Sequence, residues 1–103
     1  MKIEDLKRNK LVVCADGFTM SVQAHAGAYC IPKMTGAPVY REVEVGFPSI
    51  EEPMLMKWAD EPHRPTDTVY GYVPVQVVTN VIAKHGGIVS GQVPKGVIPL
   101  ESN

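Results

Sequence analysis

The side chains best able to carry chemistry are two cysteines and the histidines near them. Cys14, His25 and Cys30 lie within one stretch of chain, and thiolate sulfur and imidazole nitrogen are ligands that zinc prefers. His63 or His85 could supply a fourth ligand. However, the spacings of eleven and five residues match no common zinc pattern. The sequence therefore predicts no metal site and no cofactor.

A cysteine beside a histidine could also act as nucleophile and base. Cys14 has no glycine motif beside it that could form an oxyanion hole. The chain also lacks phosphate-binding glycine loops, a serine nucleophile elbow, an HExxH sequence and a CxxC pair. These observations favour a protein that is not an enzyme. A small enzyme or metal-binding protein using Cys14, His25 and Cys30 stays open as an alternative.

Paired carboxylates are a third possible source of chemistry. Glu42 and Glu44 share one face of a predicted strand, where charge is usually solvated, and Glu51 and Glu52 are adjacent in a loop. General acid–base catalysis needs one such group with a perturbed pKa, usually through burial, and nothing in the sequence buries any of them. We therefore expect no catalytic carboxylate pair. His85 follows a predicted helix, where the negative end of the helix dipole favours a cation.

The strongest structural pattern is a helix over Val75–His85. At 100° per residue its apolar and polar side chains fall on two separate arcs. Pro74 suits the start of the helix, and Gly86 or Gly87 can adopt the left-handed conformation that ends it. Valines are mediocre helix formers, so burial against a sheet must hold the helix. The residues predicted to be buried there are Val78, Val81 and Ile82.

A β-hairpin is predicted over residues 11–24, with Asp16-Gly17 as its two-residue turn. This register pairs Ala15 with Phe18, Val13 with Met20 and Leu11 with Val22 on one apolar face. Cys14 then lies on the opposite face. Cys30, in a predicted third strand over residues 28–31, lies on the core side. The register therefore predicts two thiols that are not bonded to each other.

Further strands are predicted at 41–47, where apolar and charged residues alternate, at 69–73 and at 88–89. Residues 54–58 form either a short strand or one helical turn. The fold class is therefore α+β: a mainly antiparallel β-sheet of four to six strands with one principal helix, in the C-terminal half, packed on it. We expect a single domain over 1–103, with a loosely held tail at 90–103.

Charge is unevenly distributed along the chain. Residues 42–67, here called the acidic segment, carry seven carboxylates against two cations, whereas residues 1–41 have a net charge of +3. A nucleic-acid binder is expected to carry a basic face, so we expect no nucleic-acid partner. No apolar run is long enough to span a membrane, and MKIEDLKRNK lacks the apolar region of a signal peptide. A cytoplasmic location and a solvated terminus over residues 1–9 are therefore expected.

The acidic segment contains the run Met54-Leu55-Met56-Lys57-Trp58, flanked by acids and prolines. Methionine and tryptophan suit protein–protein contacts, although one side of this run could instead complete the core. The surrounding carboxylates would steer a partner with a basic surface. The predicted partner-binding residues are Glu51, Glu52, Met54, Met56, Trp58, Asp60 and Glu61.

The strings CADGFTMSVQA, EVEVGFPS, TVYGYVPVQVV and KHGG resemble small proteins of unknown function encoded in bacteriophage genomes. The resemblance covers residues 14–87 and brings no catalytic or binding residue with it. It implies a small accessory protein made in the cytoplasm of an infected bacterium, binding a host or phage protein. The sequence thus predicts a non-enzymatic, host-modulating or accessory protein-binding protein. A structural component that self-associates through its tail is a further alternative.

Overall fold

The computed structural model describes residues 8–103, so most of the predicted solvated terminus over residues 1–9 lies outside it. Five strands form one antiparallel sheet in the order β4-β3-β2-β1-β5. One helix packs on the sheet, in the C-terminal half of the chain, and this confirms the α+β fold class. The elements are β1 Val12–Cys14, β2 Thr19–Gln23, β3 Glu42–Gly46, a 3-10 helix Met56–Trp58, β4 Val69–Pro74, α1 Val75–Lys84 and β5 Ile88–Ser90.

Helix α1 begins and ends close to where its periodicity predicts. Val78, Val81 and Ile82 are completely buried, so the predicted apolar arc is the packed one. The end is a two-bond glycine motif: the Gly86 N–H donates to Ala83 O, and the Gly87 N–H to Ile82 O. Gly86 has a φ of 91°, which an L side chain rarely adopts.

The predicted two-residue hairpin turn is wrong. Val12 pairs with Met20, so the turn contains three residues, Ala15 to Gly17, with Cys14 N–H bonded to Phe18 O. A two-residue Asp-Gly turn needs positive φ at both residues, and only Gly17, at 93°, has it. Asp16 keeps an ordinary backbone conformation and its Oδ1 accepts the Phe18 N–H at 2.9 Å.

This one-residue difference reverses the two faces of β1. Val12 and Cys14 are buried at 0% and 1% exposure, whereas Leu11 is 50% exposed. The prediction that Cys14 points away from the core is therefore wrong. The predicted third strand at 28–31 is also wrong, since only Ile31 makes a bridge, with Glu42. Both cysteines, Cys14 and Cys30, are buried and free.

Strand β4 is interrupted by a bulge at Gly71-Tyr72. Val45 pairs with Tyr70 and Val43 with Val73, so β4 has one more residue than β3 between these pairs. Tyr72 has a φ of 56° and is exposed, while Tyr70 and Val73 are both fully buried. A regular strand over 69–73 would place Val73 on one face and both tyrosines on the other, and the bulge breaks this alternation after Tyr70.

Residues 90–103 are hydrogen-bonded to several parts of the body. Ile88 N–H donates to Leu100 O, Tyr40 N–H donates to Lys95 O, and Ile98 N–H donates to Thr79 Oγ1. The sequence predicts that this tail is loosely held. Amide hydrogen exchange, which measures how easily these hydrogen bonds open, would test that prediction. Within residues 8–103, no helix has the length and apolar character needed to cross a membrane.

The β1 register can be tested by a pair of alanine substitutions. Val12→Ala removes two buried methyl groups and should lower the free energy of unfolding by about 2 kcal/mol. Leu11→Ala removes a larger but half-exposed side chain and should change it by less than about 0.5 kcal/mol. Urea unfolding of both variants measures the difference. If Leu11→Ala lowered the free energy of unfolding more than Val12→Ala, the register with the two-residue turn would be the correct one.

Candidate functional site

Four ionisable side chains, two of them buried and two half-exposed, contact one another near the β1–β2 turn. Asp16 comes from the β1–β2 turn, Glu52 from the loop after β3, and Lys84 and His85 from the end of α1. Consecutive members are joined by contacts of 2.6 to 2.9 Å. We call these four residues the buried ionic network. It joins three segments that are distant in the sequence.

His85 lies at the centre of the network. Its side chain is 6% exposed, with Nδ1 2.6 Å from Asp16 Oδ2 and Nε2 2.7 Å from Glu52 Oε1. One face of the imidazole stacks on Phe18, with ring centroids 4.0 Å apart and planes 10° from parallel. The ring is therefore fixed in orientation by two polar contacts and one aromatic contact.

Glu52 is the most deeply buried charge, with a side chain 1% exposed. Its Oε2 accepts the Met54 N–H and the Lys84 ammonium, each at 2.9 Å. Burial raises the pKa of Glu52, but the hydrogen bonds from Met54, Lys84 and His85 together hold it below the ordinary carboxyl value. Both oxygens of the carboxylate thus have donors, as a buried charge requires.

Asp16 is the solvent-facing end of the network, with a side chain 51% exposed. The Phe18 N–H, followed by the His85 ring, lowers the pKa of this carboxyl. Asp16 and Glu52 are therefore both carboxylates at neutral pH. Each of these carboxylates lies within hydrogen-bonding distance of one ring nitrogen of His85.

This arrangement determines what His85 can do. A general base or a metal ligand needs a ring nitrogen with a free lone pair, and both nitrogens here face carboxylates. The network is therefore an anchor between segments. The sequence placed His85 at the negative end of the helix dipole and gave no indication of these two carboxylate partners. Glu52 and Asp16 lie 33 and 69 positions away in the chain, and no local sequence pattern connects them to it.

The three residues of the alternative enzyme or metal hypothesis are placed unfavourably for it. Cys14 is 1% exposed, and burial, with a smaller contribution from Asp16, raises the pKa of its thiol. The reactive thiolate is thereby disfavoured. His25 Nδ1 accepts the Gly27 N–H, and Cys30 Sγ donates to His25 O. Among residues 8–103, no group of three His, Cys, Asp or Glu side chains could hold a metal ion.

The residues predicted to bind a partner have different degrees of exposure. Glu51 and Asp60 are exposed, and Glu61 is half-buried. Glu52, in contrast, lies inside the buried ionic network and does not reach the surface. The run at 54–58 is helical at Met56–Trp58; Leu55 is fully buried, and three further side chains are partly buried against the core. These three are Met54, Met56 and Trp58.

Part of the charge of the acidic segment is neutralised by ion pairs. Arg64 pairs with Asp67 and, at 3.9 Å, with Glu61, while Glu52 is paired within the network. Glu44 accepts the Tyr29 N–H. Within the described part of the chain, Glu42, Glu44, Glu51 and Asp60 form no ion pair, and of these four only Glu51 and Asp60 are exposed. They are the carboxylates of this segment best placed to attract a basic partner.

Two apolar side chains of the acidic segment are prominently exposed, although the alternation at 41–47 places one of them, Phe47, on the same face as the buried Val43 and Val45. Phe47 is 54% exposed and Ile50 is 56% exposed. Phe47 has a φ of 50°, an uncommon conformation for a bulky residue. Ile50 borders a shallow groove next to the network, here called the Ile50 groove. The residues lining it are Asp16, Gly17, Phe18, Ser49 and Ile50.

The stabilising role of the network can be tested with Glu52→Gln. The substitution removes the negative charge that Lys84 and His85 contact, and it should lower the free energy of unfolding by about 3 kcal/mol. Arg64→Ala is the matched control. Arg64 is 54% exposed and pairs with carboxylates that face solvent, so its loss should be worth no more than about 1 kcal/mol. Equal effects of the two variants in urea unfolding would contradict the assignment of Glu52 as the buried centre.

The same carboxylates predict the direction of acid sensitivity. Because Asp16 and Glu52 have lowered pKa values in the folded state, the unfolded chain binds more protons at acidic pH. Their contribution to stability is complete above the ordinary carboxyl pKa of roughly 4 and is lost as the pH falls below it. Unfolding measured between about pH 6 and pH 3 should show a smaller slope in Glu52→Gln than in the wild type. An unchanged slope would remove Glu52 as a cause of acid sensitivity.

Comparisons with protein-family models, with characterised proteins and with solved structures found no significant match. These comparisons therefore assign no role to any residue of this site. Its function has to be inferred from the geometry of the buried ionic network and of the surface beside it.

Proposed function

We propose that this chain is a non-enzymatic binding protein whose partner is another protein with a basic surface. The observation that carries the proposal is the exposure of Phe47 and Ile50, each more than half exposed, within the acidic segment. The binding surface contains these two residues together with the exposed part of the predicted set. That part consists of Glu51, Met54, Met56, Trp58, Asp60 and Glu61.

Backbone conformation supports a binding role for Phe47. A non-glycine residue in the left-handed region costs of order 1–3 kcal/mol, and such residues cluster at ligand-contacting sites. Phe47 has this conformation at φ 50°, yet its side chain gains little burial from it. A partner that covers the ring would supply the burial that the isolated chain lacks.

The loop carrying Ile50 is held in place before any partner arrives. Ser49 N–H donates to Thr19 O, Ser49 Oγ accepts the Thr19 N–H at 2.9 Å, and Glu52 is anchored by the buried ionic network. A preorganised loop loses less conformational entropy on binding than a free one. Ile50 and Glu51 lie between these two anchors, so the structure presents an apolar contact next to a carboxylate.

The cellular setting is part of the proposal and rests on the sequence resemblance to bacteriophage proteins. On that basis the chain acts in the cytoplasm of an infected bacterium as an accessory or host-modulating protein. Host proteins that bind nucleic acid carry the basic surfaces that Glu51 and Asp60 would attract. The attraction between exposed charges should weaken as salt is added.

The experiment is capture of partners from bacterial lysate by the tagged protein, with identification by mass spectrometry. Ile50→Ser and Glu51→Lys should each weaken binding of the captured protein at least tenfold, or about 1.4 kcal/mol. Both positions are exposed, so both variants should keep the wild-type melting temperature. Gln76→Ala is the matched control, since Gln76 is exposed on α1 and bonded to Asn80.

Trp58→Ala should also weaken binding, and its melting temperature shows whether lost contact or lost packing is responsible. Capture that is unaffected by Ile50→Ser and Glu51→Lys in folded protein would contradict the assigned surface. Equal losses in Gln76→Ala would show that the effect is not specific to it.

A further inference from the structure

Hydrogen-bond donors limit the protonation states that the buried ionic network can adopt. His85 faces Asp16 Oδ2 at 2.6 Å and Glu52 Oε1 at 2.7 Å. Two hydrogen bonds to two carboxylates need an N–H on each ring nitrogen, which only the imidazolium has. A charged ring between two carboxylates is the one state that satisfies both contacts at once.

Loss of one proton from the ring would leave a nitrogen lone pair facing a carboxylate oxygen at hydrogen-bond distance. That contact is repulsive and must lengthen. Glu52 cannot move into water easily, because its side chain is 1% exposed and is held by Lys84 and the Met54 N–H. Asp16 is 51% exposed and can exchange His85 for water. The contact that opens is therefore the one between His85 and Asp16.

The charged groups around His85 come from every element packed against it. In the described part of the chain, Asp16 faces it from the β1–β2 turn and Glu52 from the loop after β3. Lys84 on α1 reaches it through Glu52, and the buried Cys14 thiol of β1 lies near Asp16. With the ring charged, the formal charges of the four network residues cancel. With the ring neutral, they leave one negative charge.

We propose that proton release from His85 is a switch that frees Asp16 and changes the shape and charge of the Ile50 groove. Asp16 and Phe18 line this groove, and His85 contacts both of them. When His85 is charged, the buried ionic network beside the groove has no net charge, and the His85–Asp16 contact holds the β1–β2 turn in place. In the neutral state it gains a mobile, solvated carboxylate beside Ile50.

The consequence for binding rests on the proposed function. A basic partner would meet one additional negative charge at the Ile50 groove when His85 is neutral. Its association should therefore be favoured by proton release, and this preference should weaken in high salt. The switch itself needs no partner and can be observed in the isolated chain.

The test is an NMR pH titration of the isotopically labelled full chain, over the range in which it stays folded. The ring nitrogens of His85 should change from two protonated nitrogens to one. The amides of Gly17, Phe18 and Ile50 should shift along the same titration curve. The Met54 amide, bonded to the retained Glu52 carboxylate, should stay nearly constant.

Two variants separate the switch from general effects of pH. His63→Gln removes an exposed histidine of the acidic segment and should leave the coupled transition unchanged. Asp16→Asn keeps an oxygen for the Phe18 N–H but removes the charge, and should abolish the transition at Gly17 and Ile50 while the ring still titrates.

The proposal is overturned if the His85 ring keeps one protonation state wherever the chain is folded. It is equally overturned if the Met54 amide shifts while Gly17 and Ile50 do not, since Glu52 would then be the contact that opens. A groove transition that persists in Asp16→Asn would also contradict it. Because no partner is used, failure to capture a binding protein leaves each of these outcomes interpretable.

Discussion

The burial of the Glu52 carboxylate is the constraint on which the surrounding structure depends. Transfer of a carboxylate from water into a protein interior costs several kcal/mol unless donors replace the lost hydration. At 1% exposure, Glu52 obtains its donors from Lys84, His85 and the Met54 N–H. These requirements bring the end of α1 and the loop after β3 to one position. Through His85 they also bring in the β1–β2 turn.

The same constraint connects the interior to the proposed binding surface. Glu52 is two residues from Ile50 and next to Glu51, so anchoring its side chain fixes the part of the loop that presents these two. Ser49 is fixed independently by its two hydrogen bonds with Thr19. Because the loop is held at both ends, the apolar side chain of Ile50 can stay exposed instead of folding back onto the protein. The buried charge thus has a structural consequence at the surface.

The parts of the fold that the sequence predicted are those governed by local periodicity. Helix α1 was predictable because its apolar and polar residues separate at 3.6 residues per turn and two glycines follow. The hairpin was predictable in existence but not in register, since Asp16-Gly17 is compatible with two-residue and three-residue turns. The side chain of Asp16, which accepts the Phe18 N–H, belongs to the longer turn. That choice decides which face of β1 is buried.

The buried ionic network was not predictable, because its members are far apart in the chain and each has an ordinary local explanation. His85 suited a helix end, Glu52 suited a solvated acidic loop, and Asp16 suited a turn. Only the tertiary fold shows that the three compensate one another. The acidic segment was likewise described by its formal charge, whereas Arg64 and the network neutralise part of it.

The most direct test of this account is the coupling free energy between Glu52 and His85 from a double-mutant cycle. It compares Glu52→Gln, His85→Gln and the double variant by urea unfolding at neutral pH. Residues joined in one buried network should give a coupling of at least about 1 kcal/mol, with the double variant less destabilised than the sum of the single variants. Additive effects, with coupling near zero, would show that the two side chains do not stabilise each other and would contradict the account.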